Sequence, residues 1–289
     1  MDFFHQFAAQ RVHFAPGRAA ETLTSEVRHH GAERVMVLSG GSSSAVADAV
    51  TADVPVAVRL DDAARHVPGP LADRAVSAAR DSGVDLVLSV GGGSAVGLAK
   101  AVALSTGLPI VALPTTYAGS EATDVWGITI DGVKKTGIDS RVLPASVVYD
   151  ATLTLGLPVG LSVVSGINAL AHCVDALWGP RVSPIDRVLS DEAVRGLVDG
   201  LTSIRDSPEG LAGRESLQYG AYLSGVVFAS AGSGLHHKIC HVLGGRFDLP
   251  HAETHAAVLP HVVALNVAHA PALGERLARS LGADSPNAG

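Results

Sequence analysis

The 289-residue chain has only two cysteines, Cys173 and Cys240, and each stands beside a histidine. Two thiols cannot build a disulfide framework, which excludes a small fold stapled by bridges. There is no long basic run, and 21 Lys and Arg against 28 Asp and Glu leave a net charge of −7. Neither nucleic acid nor an anionic membrane is therefore expected as a main partner. No stretch of about twenty apolar residues reads as a membrane span. The opening MDFFHQFAAQRVHF has no basic segment followed by an apolar one, so no secretion signal is expected either. These absences together point to the cytoplasm. Charged residues are scarce at 17%, while hydrophobic residues reach 47%, the balance of a well-buried globular protein. The length exceeds one average core, so two domains or one large α/β domain is expected.

What the chain has in quantity is histidine, concentrated late. Six of its thirteen histidines fall between Gly234 and His261, in GLHHKICHVLGGRFDLPHAETHAAVLPH. His237 and His241 are four apart in an apolar helical pattern, which stacks their rings on one helix face. His251 and His255 repeat the spacing after Pro250. Gly244 and Gly245 predict a break between two helices, and Pro250 suits the entry to the second. A single histidine in such a pattern reads as a hydrogen-bonded core residue. Several in a short window read as a site, because imidazole can ligate a metal, move a proton near neutral pH or bind a carboxylate when protonated.

Before that window the pattern alternates. Arg11 to Phe14 predicts a short strand and Ala19 to His30 a helix. RVMVLSGG (Arg34 to Gly41) predicts a buried strand running into the helical SSAVADAV. Val54 to Leu60 predicts another strand, and Leu71 to Gly83 an amphipathic helix. DLVLSVGGGSAVGLAKAVALSTG reads as strand, glycine turn and helix, and Pro109 to Thr116 as a further strand. Such alternation predicts a mostly parallel sheet covered by helices on both faces. Gly91, Gly92 and Gly93 remove every β-carbon where strand meets helix, so backbone N–H groups can approach a phosphate closely, and Ser94 adds a hydroxyl. The spacing departs from G-x-G-x-x-G, and a tight turn needing glycine for geometry accounts for it as readily. Thr115 and Thr116 add hydroxyls at a neighbouring strand end, where open α/β sheets bind ligands.

GITIDGVKKTGID reads as a hairpin turning at Asp131 and Gly132, followed by Arg141. It presents Lys134 and Lys135, residues that are ordinarily solvated surface charge. Beyond Asp150 the pattern is helical, and a boundary near residues 150–158 divides the chain into 1–152, an α/β domain, and 153–289, a helical domain. On the helix predicted over Ser162 to Trp178, Asn168 and His172 share a face, with Asp175 one turn further on.

Four segments, GGGSAVGLAKA, PTTYAGSEATDVWG, SGINALAHCVDALW and the histidine-rich stretch, resemble the iron-containing alcohol dehydrogenase superfamily, and within it the maleylacetate reductase branch. The match runs in order over nearly the whole chain. The resemblance implies an N-terminal α/β dinucleotide-binding domain with a mostly parallel sheet, an all-helical C-terminal domain and an active site in the cleft between them. It also implies that relatives continue through further helices beyond the polar tail LARSLGADSPNAG. The apolar faces so exposed would favour a homo-oligomer, expected as a homodimer.

In metal-dependent members, an aspartate and a histidine four apart and two later histidines hold a divalent ion. Here the histidines are His172, His237 and His251, while Asn168 takes the aspartate position. A neutral carboxamide binds iron or zinc more weakly than a carboxylate, so metal independence is expected, although three histidines alone can hold zinc. Gly97, where the metal-dependent enzymes commonly carry an aspartate, fits the reductase branch. The implied reaction is reduction of 2-maleylacetate to 3-oxoadipate with NADH or NADPH, in aromatic-compound degradation. His237 and His172 would polarise the ketone, His241 or His251 would relay a proton, and Asn168 would donate a hydrogen bond. Lys134, Lys135 or Arg141 would clamp a carboxylate of this small anionic oxo-acid. Ser39 stands near where NAD-selective relatives carry an acidic residue, which leaves NADPH open. The alternatives are a metal-dependent alcohol, aldehyde or other keto-acid oxidoreductase using the three histidines, and a catalytically silent dinucleotide-binding homologue.

Overall fold

A computed structural model describes residues 1–247 and 249–283 of the protein. The end of the predicted polar tail, residues 284–289, lies outside the described residues. The chain divides into two compact units. One comprises residues 8–116 and 120–156; the other comprises residues 1–7, 117–119 and 157–289.

The first unit is an α/β layer structure. Its strands β1 (Arg11–Phe14), β2 (Val35–Ser39), β3 (Val56–Leu60), β4 (Leu86–Gly91), β5 (Ile110–Pro114) and β8 (Ser146–Tyr149) form one six-stranded sheet in the order β1-β8-β5-β4-β2-β3. Every pairing in it is parallel. Parallel strands need crossovers, supplied by helices α1 (Ala19–His29), α2 (Ser44–Val50), α3 (Gly69–Asp81) and α4 (Gly93–Thr106). Side chains alternate between two cores, as a pleated sheet requires. Met36, Leu38 and Val87 pack with Leu71, Ala75 and Leu98 from α3 and α4. Val35, Val37, Leu86, Leu88 and Val90 pack on the other face with Leu23, Val27, Ala47 and Val50 from α1 and α2. Burial on both faces explains why β2 and β4 read as unbroken apolar runs.

The antiparallel hairpin β6 (Val125–Ile130) and β7 (Val133–Ile138) turns at Asp131 and Gly132, with φ of 50° and 74°. That is the left-handed pair a two-residue turn between twisted strands needs.

The second unit is helical: α5 (Val159–Leu177), α6 (Pro184–Asp206), α7 (Leu211–Ala231), α8 (Leu235–Phe247), α9 (His251–His269) and α10 (Pro271–Leu281). Helix α6 opens with a capping box, in which Ser183 and Asp186 satisfy each other's backbone N–H groups, and with Pro184 in its first turn. Helix α5 is long and apolar enough to cross a membrane by length and composition, yet over half of it is buried within the protein, as in a core helix. Its Ala169, Cys173 and Leu177 pack with Leu197 of α6, Leu217 of α7 and Leu259 of α9. Tyr117 is drawn into this unit by Ser165, whose hydroxyl accepts its N–H at 3.0 Å, and by Arg214, whose guanidinium donates to the Tyr117 hydroxyl at 3.4 Å. The expected break at Gly244 and Gly245 does not occur. Helix α8 continues to Phe247, and Pro250 caps the start of α9.

One buried polar cluster in the sheet unit gives a test of the fold. Glu26 accepts two hydrogen bonds from Arg11, at 2.9 and 3.0 Å, and one from Ser146 at 2.6 Å, with His13 Nε2 at 2.9 Å. The Arg11 hydrogen bonds, against the upward push of burial, bring the Glu26 carboxyl down to about 2. A folded-state value below the unfolded one contributes stability above the unfolded pKa and loses it as pH falls toward the folded one. Urea midpoints measured between pH 7 and pH 2 should therefore fall below about pH 4.5. Glu26→Gln should start lower at pH 7 and show a flatter decline; identical profiles would contradict this assignment.

Candidate active site

The sheet unit brings the predicted cofactor residues together. Strands β4 and β5 are neighbours with Gly91 opposite Pro114, so the turn Gly91, Gly92, Gly93, Ser94 lies beside Thr115 and Thr116 at the C-terminal edge. The Thr115 N–H donates to the Gly91 carbonyl at 3.0 Å. Glycine at position 92 has a packing cause as well, since a β-carbon there would sit 2.8 Å from Thr116 Cγ2. Gly93 is exposed at the N-terminus of the fourteen-residue α4, where the leading N–H groups lack intrahelical acceptors.

Ser39 ends β2, next to β4, but it is not a free hydroxyl. It is fully buried and donates to the Asp61 carboxylate, which also accepts from Arg59 at 2.7 Å. The end of β2 carries no acid, as expected, but a carboxylate lies beside Ser39, delivered by the chain just after β3. Arg141 is likewise committed: its guanidinium makes a two-pronged pair with Asp139, at 3.0 and 2.7 Å. Lys134 is half-buried on β7, and burial alone lowers its pKa, while Lys135 is exposed.

The helical unit assembles the histidines. Asn168 and His172 lie one turn apart on α5, both buried. The His172 ring is 5.2 Å from His237, centre to centre, and both flank Phe228 of α7, at 4.8 and 4.6 Å. From His237 the rings continue to His255 at 4.8 Å and His241 at 6.2 Å. His251, which is exposed, lies 4.3 Å from His255 and 6.4 Å from His241. The two pairs predicted from four-residue spacing therefore converge from α8 and α9.

Asp175 was noted in the sequence but not assigned a role, and it organises this cluster. Its carboxylate accepts from His237 Nδ1 at 2.8 Å and from the backbone N–H groups of Gly234, His236 and His237, at 2.7, 3.2 and 3.3 Å. Burial pushes this carboxyl up, but the His237 hydrogen bond and charge and the backbone N–H groups outweigh it and hold the pKa below normal. Gly234 must lack a side chain because its β-carbon would fall 2.7 Å from Asp175 Oδ1. With Nδ1 held, His237 turns a buried, unbonded Nε2 outward; His172 Nδ1 and Asn168 Oδ1 are buried and unbonded too. His172 is kept neutral by burial, then by the neighbouring imidazoles. Position 175, one turn past His172, was the available signal for the missed carboxylate. His255 was marked by its four-residue spacing from His251 though given no role; Phe228 and His236 had no comparable signal.

Two family models cover most of the chain, "Iron-containing alcohol dehydrogenase" over residues 9–151 and "Fe-containing alcohol dehydrogenase family, C-terminal" over residues 162–288. The chain belongs to the iron-containing alcohol dehydrogenase family. Within that family it is 46% identical to a maleylacetate reductase of Pseudomonas sp. strain P51, over 99% of this chain and 82% of that protein. It is also 46% identical to maleylacetate reductase 2 of Cupriavidus pinatubonensis, over 99% and 80%. Among solved structures, an iron-containing alcohol dehydrogenase from Corynebacterium glutamicum is 51% identical with a TM-score of 0.96, over 99% of this chain and 80% of that one. The maleylacetate reductase of Agrobacterium tumefaciens is 42% identical with a TM-score of 0.94, over 99% and 82%. Membership makes the protein an oxidoreductase.

The family's metal does not match the donors present. Asn168 brings no charge, and the ligand atoms of His172, His237 and His251 are not gathered. Among the described residues, the group of three His, Cys, Asp or Glu whose ligand atoms all lie within 4.8 Å is a different one, His236, Cys240 and His255.

The Asp175 arrangement predicts a specific loss. Asp175→Ala would strand four buried donors, at a cost of about 3 kcal/mol or more. The unfolding midpoint should drop accordingly, more than for Asp175→Asn, which keeps one acceptor oxygen. Equal midpoints for wild type and Asp175→Ala would show that the carboxylate does not hold the head of α8.

Proposed function

We propose that the protein reduces 2-maleylacetate to 3-oxoadipate in the degradation of aromatic compounds, using a nicotinamide cofactor and no metal. The observation that carries this reading is the identity of over 40% to maleylacetate reductases across 99% of this chain, together with the imidazoles gathered around His237. Gly91 to Ser94, Thr115 and Thr116 would hold the cofactor, with its pyrophosphate against the start of α4. When bound, it supplies a hydride to the alkene carbon conjugated with the ketone.

The residues of the helical unit then manage the charge that appears on the ketone oxygen. His237, fixed through Nδ1 by Asp175, would direct Nε2 at that oxygen, with the carboxylate behind the ring to balance positive charge that develops on it. His172, held neutral, contributes an uncharged hydrogen bond, and Asn168 a carboxamide N–H. A proton must then reach the carbon next to the ketone. It enters from solvent at exposed His251 and passes by His241, over ring separations of 6.4 and 6.2 Å that water bridges. Of the three expected clamps, Lys134 and Lys135 would meet a substrate carboxylate, since Arg141 is tied to Asp139. Asp61, beside Ser39, would face the adenosine ribose and repel an added phosphate, which favours NADH over NADPH. The two thiols, both free and buried, suit a reducing cytoplasm. Exposed Val188, Val242 and Phe247 favour a homodimer, which a monomeric mass in solution would contradict.

The deciding experiment is oxidation of NADH and NADPH with 2-maleylacetate by chelator-stripped protein. Turnover without metal is expected. Activity that appears only on adding zinc or iron would select the metal-dependent reading instead. His237→Ala should cut kcat by about 10²- to 10⁴-fold, with a smaller loss for His241→Ala, whose place water can take. Near-wild-type rates in both would sink the proton assignment. Asp61→Asn should raise the NADPH:NADH ratio of kcat/KM by about tenfold, the equivalent of about 1.4 kcal/mol; an unchanged ratio would place the ribose elsewhere.

A further inference from the structure

Behind the reactive imidazoles lies a second constellation that the reduction does not use. His236 and Cys240 are four apart on α8 and share a face; His255 reaches them from α9. All three are buried, at 1%, 2% and 0% exposure. His236 Nε2 lies 3.0 Å from His255 Nδ1 and 3.7 Å from Cys240 Sγ. A tetrahedral zinc ion with bonds of about 2.0–2.1 Å to nitrogen and about 2.3 Å to sulfur sets its donors roughly 3.3 Å apart for N and N and roughly 3.6 Å for N and S. Those two separations need only a few tenths of an ångström of adjustment, and all three ligand atoms lie within 4.8 Å of one another.

As a hydrogen-bond network the trio is poorly served. A proton shared between His236 Nε2 and His255 Nδ1 leaves His236 Nδ1 and His255 Nε2 buried with no partner. Cys240 is no better off, with its carbonyl contact to Thr254 4.0 Å long. Two buried imidazoles and a thiol are the ligand types that thiophilic cations select.

We propose that His236, Cys240 and His255 form a binding site for one thiophilic divalent cation, zinc foremost, separate from the imidazoles assigned to reduction. On binding, the Cys240 S–H bond breaks, its proton leaves to solvent and the sulfur electron pair bonds the ion. The ion carries a fourth, solvent ligand and ties α8 to α9. The Asp175 carboxylate, which acts electrostatically on both His236 and Cys240, offsets part of the remaining charge.

The test is a titration of metal-free protein with cobalt(II), read optically. One equivalent per chain should produce a thiolate-to-cobalt charge-transfer band and a higher melting temperature, and zinc should displace the band. Cys240→Ser should abolish the band while Cys173→Ser and His172→Ala retain it. His255→Gln should weaken or abolish it with Cys240 still present, a check that holds if the serine variant folds poorly. Cobalt binding without a charge-transfer band, or a band that survives Cys240→Ser, would overturn the proposal. So would a band lost in His172→Ala, which would put the ion on the other imidazoles. None of these readouts depends on maleylacetate turnover.

Discussion

One carboxylate sets the geometry of the helical unit's polar centre. Asp175 sits on α5 yet closes the open N-terminal turn of α8 by accepting three backbone N–H groups, and it takes the His237 ring N–H besides. A helix start has donors to satisfy and a partial positive charge to offset, so a buried carboxylate is stabilised there where it would otherwise be costly. Placing the head of α8 in this way aims everything four and five residues further along the helix. His237 turns its free nitrogen away from the carboxylate, His236 and Cys240 turn toward α9, and His241 lies within reach of His251. The imidazoles around His237 and the trio of His236, Cys240 and His255 are therefore separated by which side of α8 they occupy.

The sheet unit solves a different problem by backbone alone. Parallel strands end together at one edge, and two neighbours, β4 and β5, carry there a glycine turn and two threonines. Gly92 serves both requirements at once. Its missing β-carbon makes room for Thr116, and on the proposed reading it would also let a phosphate approach the start of α4. A packing explanation for a glycine and a ligand-binding one are not rivals at such a place, because the side chain that demands the space is itself one of the hydroxyls lining the turn.

Much of this was legible in the sequence where the signal is local. Buried apolar runs ending in glycine identified β2 and β4, and Asp131-Gly132 identified the hairpin, because period and turn chemistry are properties of a few adjacent residues. The histidine pairs were legible through four-residue spacing. What failed was non-local. The strand β8, four residues long, exists by pairing with β1 and β5 from distant parts of the chain. Asp61 reaches Ser39 from the next strand over, so inspecting the end of β2 alone showed no acid. Gly244 and Gly245 looked like a helix stop, since each costs about 1 kcal/mol relative to alanine in a helix. The cap at Asp175 and the packing of α8 on α9 outweigh that preference, and α8 runs on to Phe247.

The exchange of carboxylate for carboxamide at position 168 acquires a meaning once the charges are set side by side. His172 and His255 are both driven toward neutrality by burial and by their neighbours. Like charges at ring separations near 5 Å cannot all be carried at once. Asp175 hydrogen-bonds the neighbouring His237 ring, where it can balance one positive charge. A proton on His237 would be one positive charge; a divalent ion is two, and a carboxylate at position 168 would offset more of that charge than a carboxamide does. On the proposed metal-free reading, Asn168 suits a cluster that carries a proton, and the chemistry that a single mobile proton supports is the quenching of an enolate.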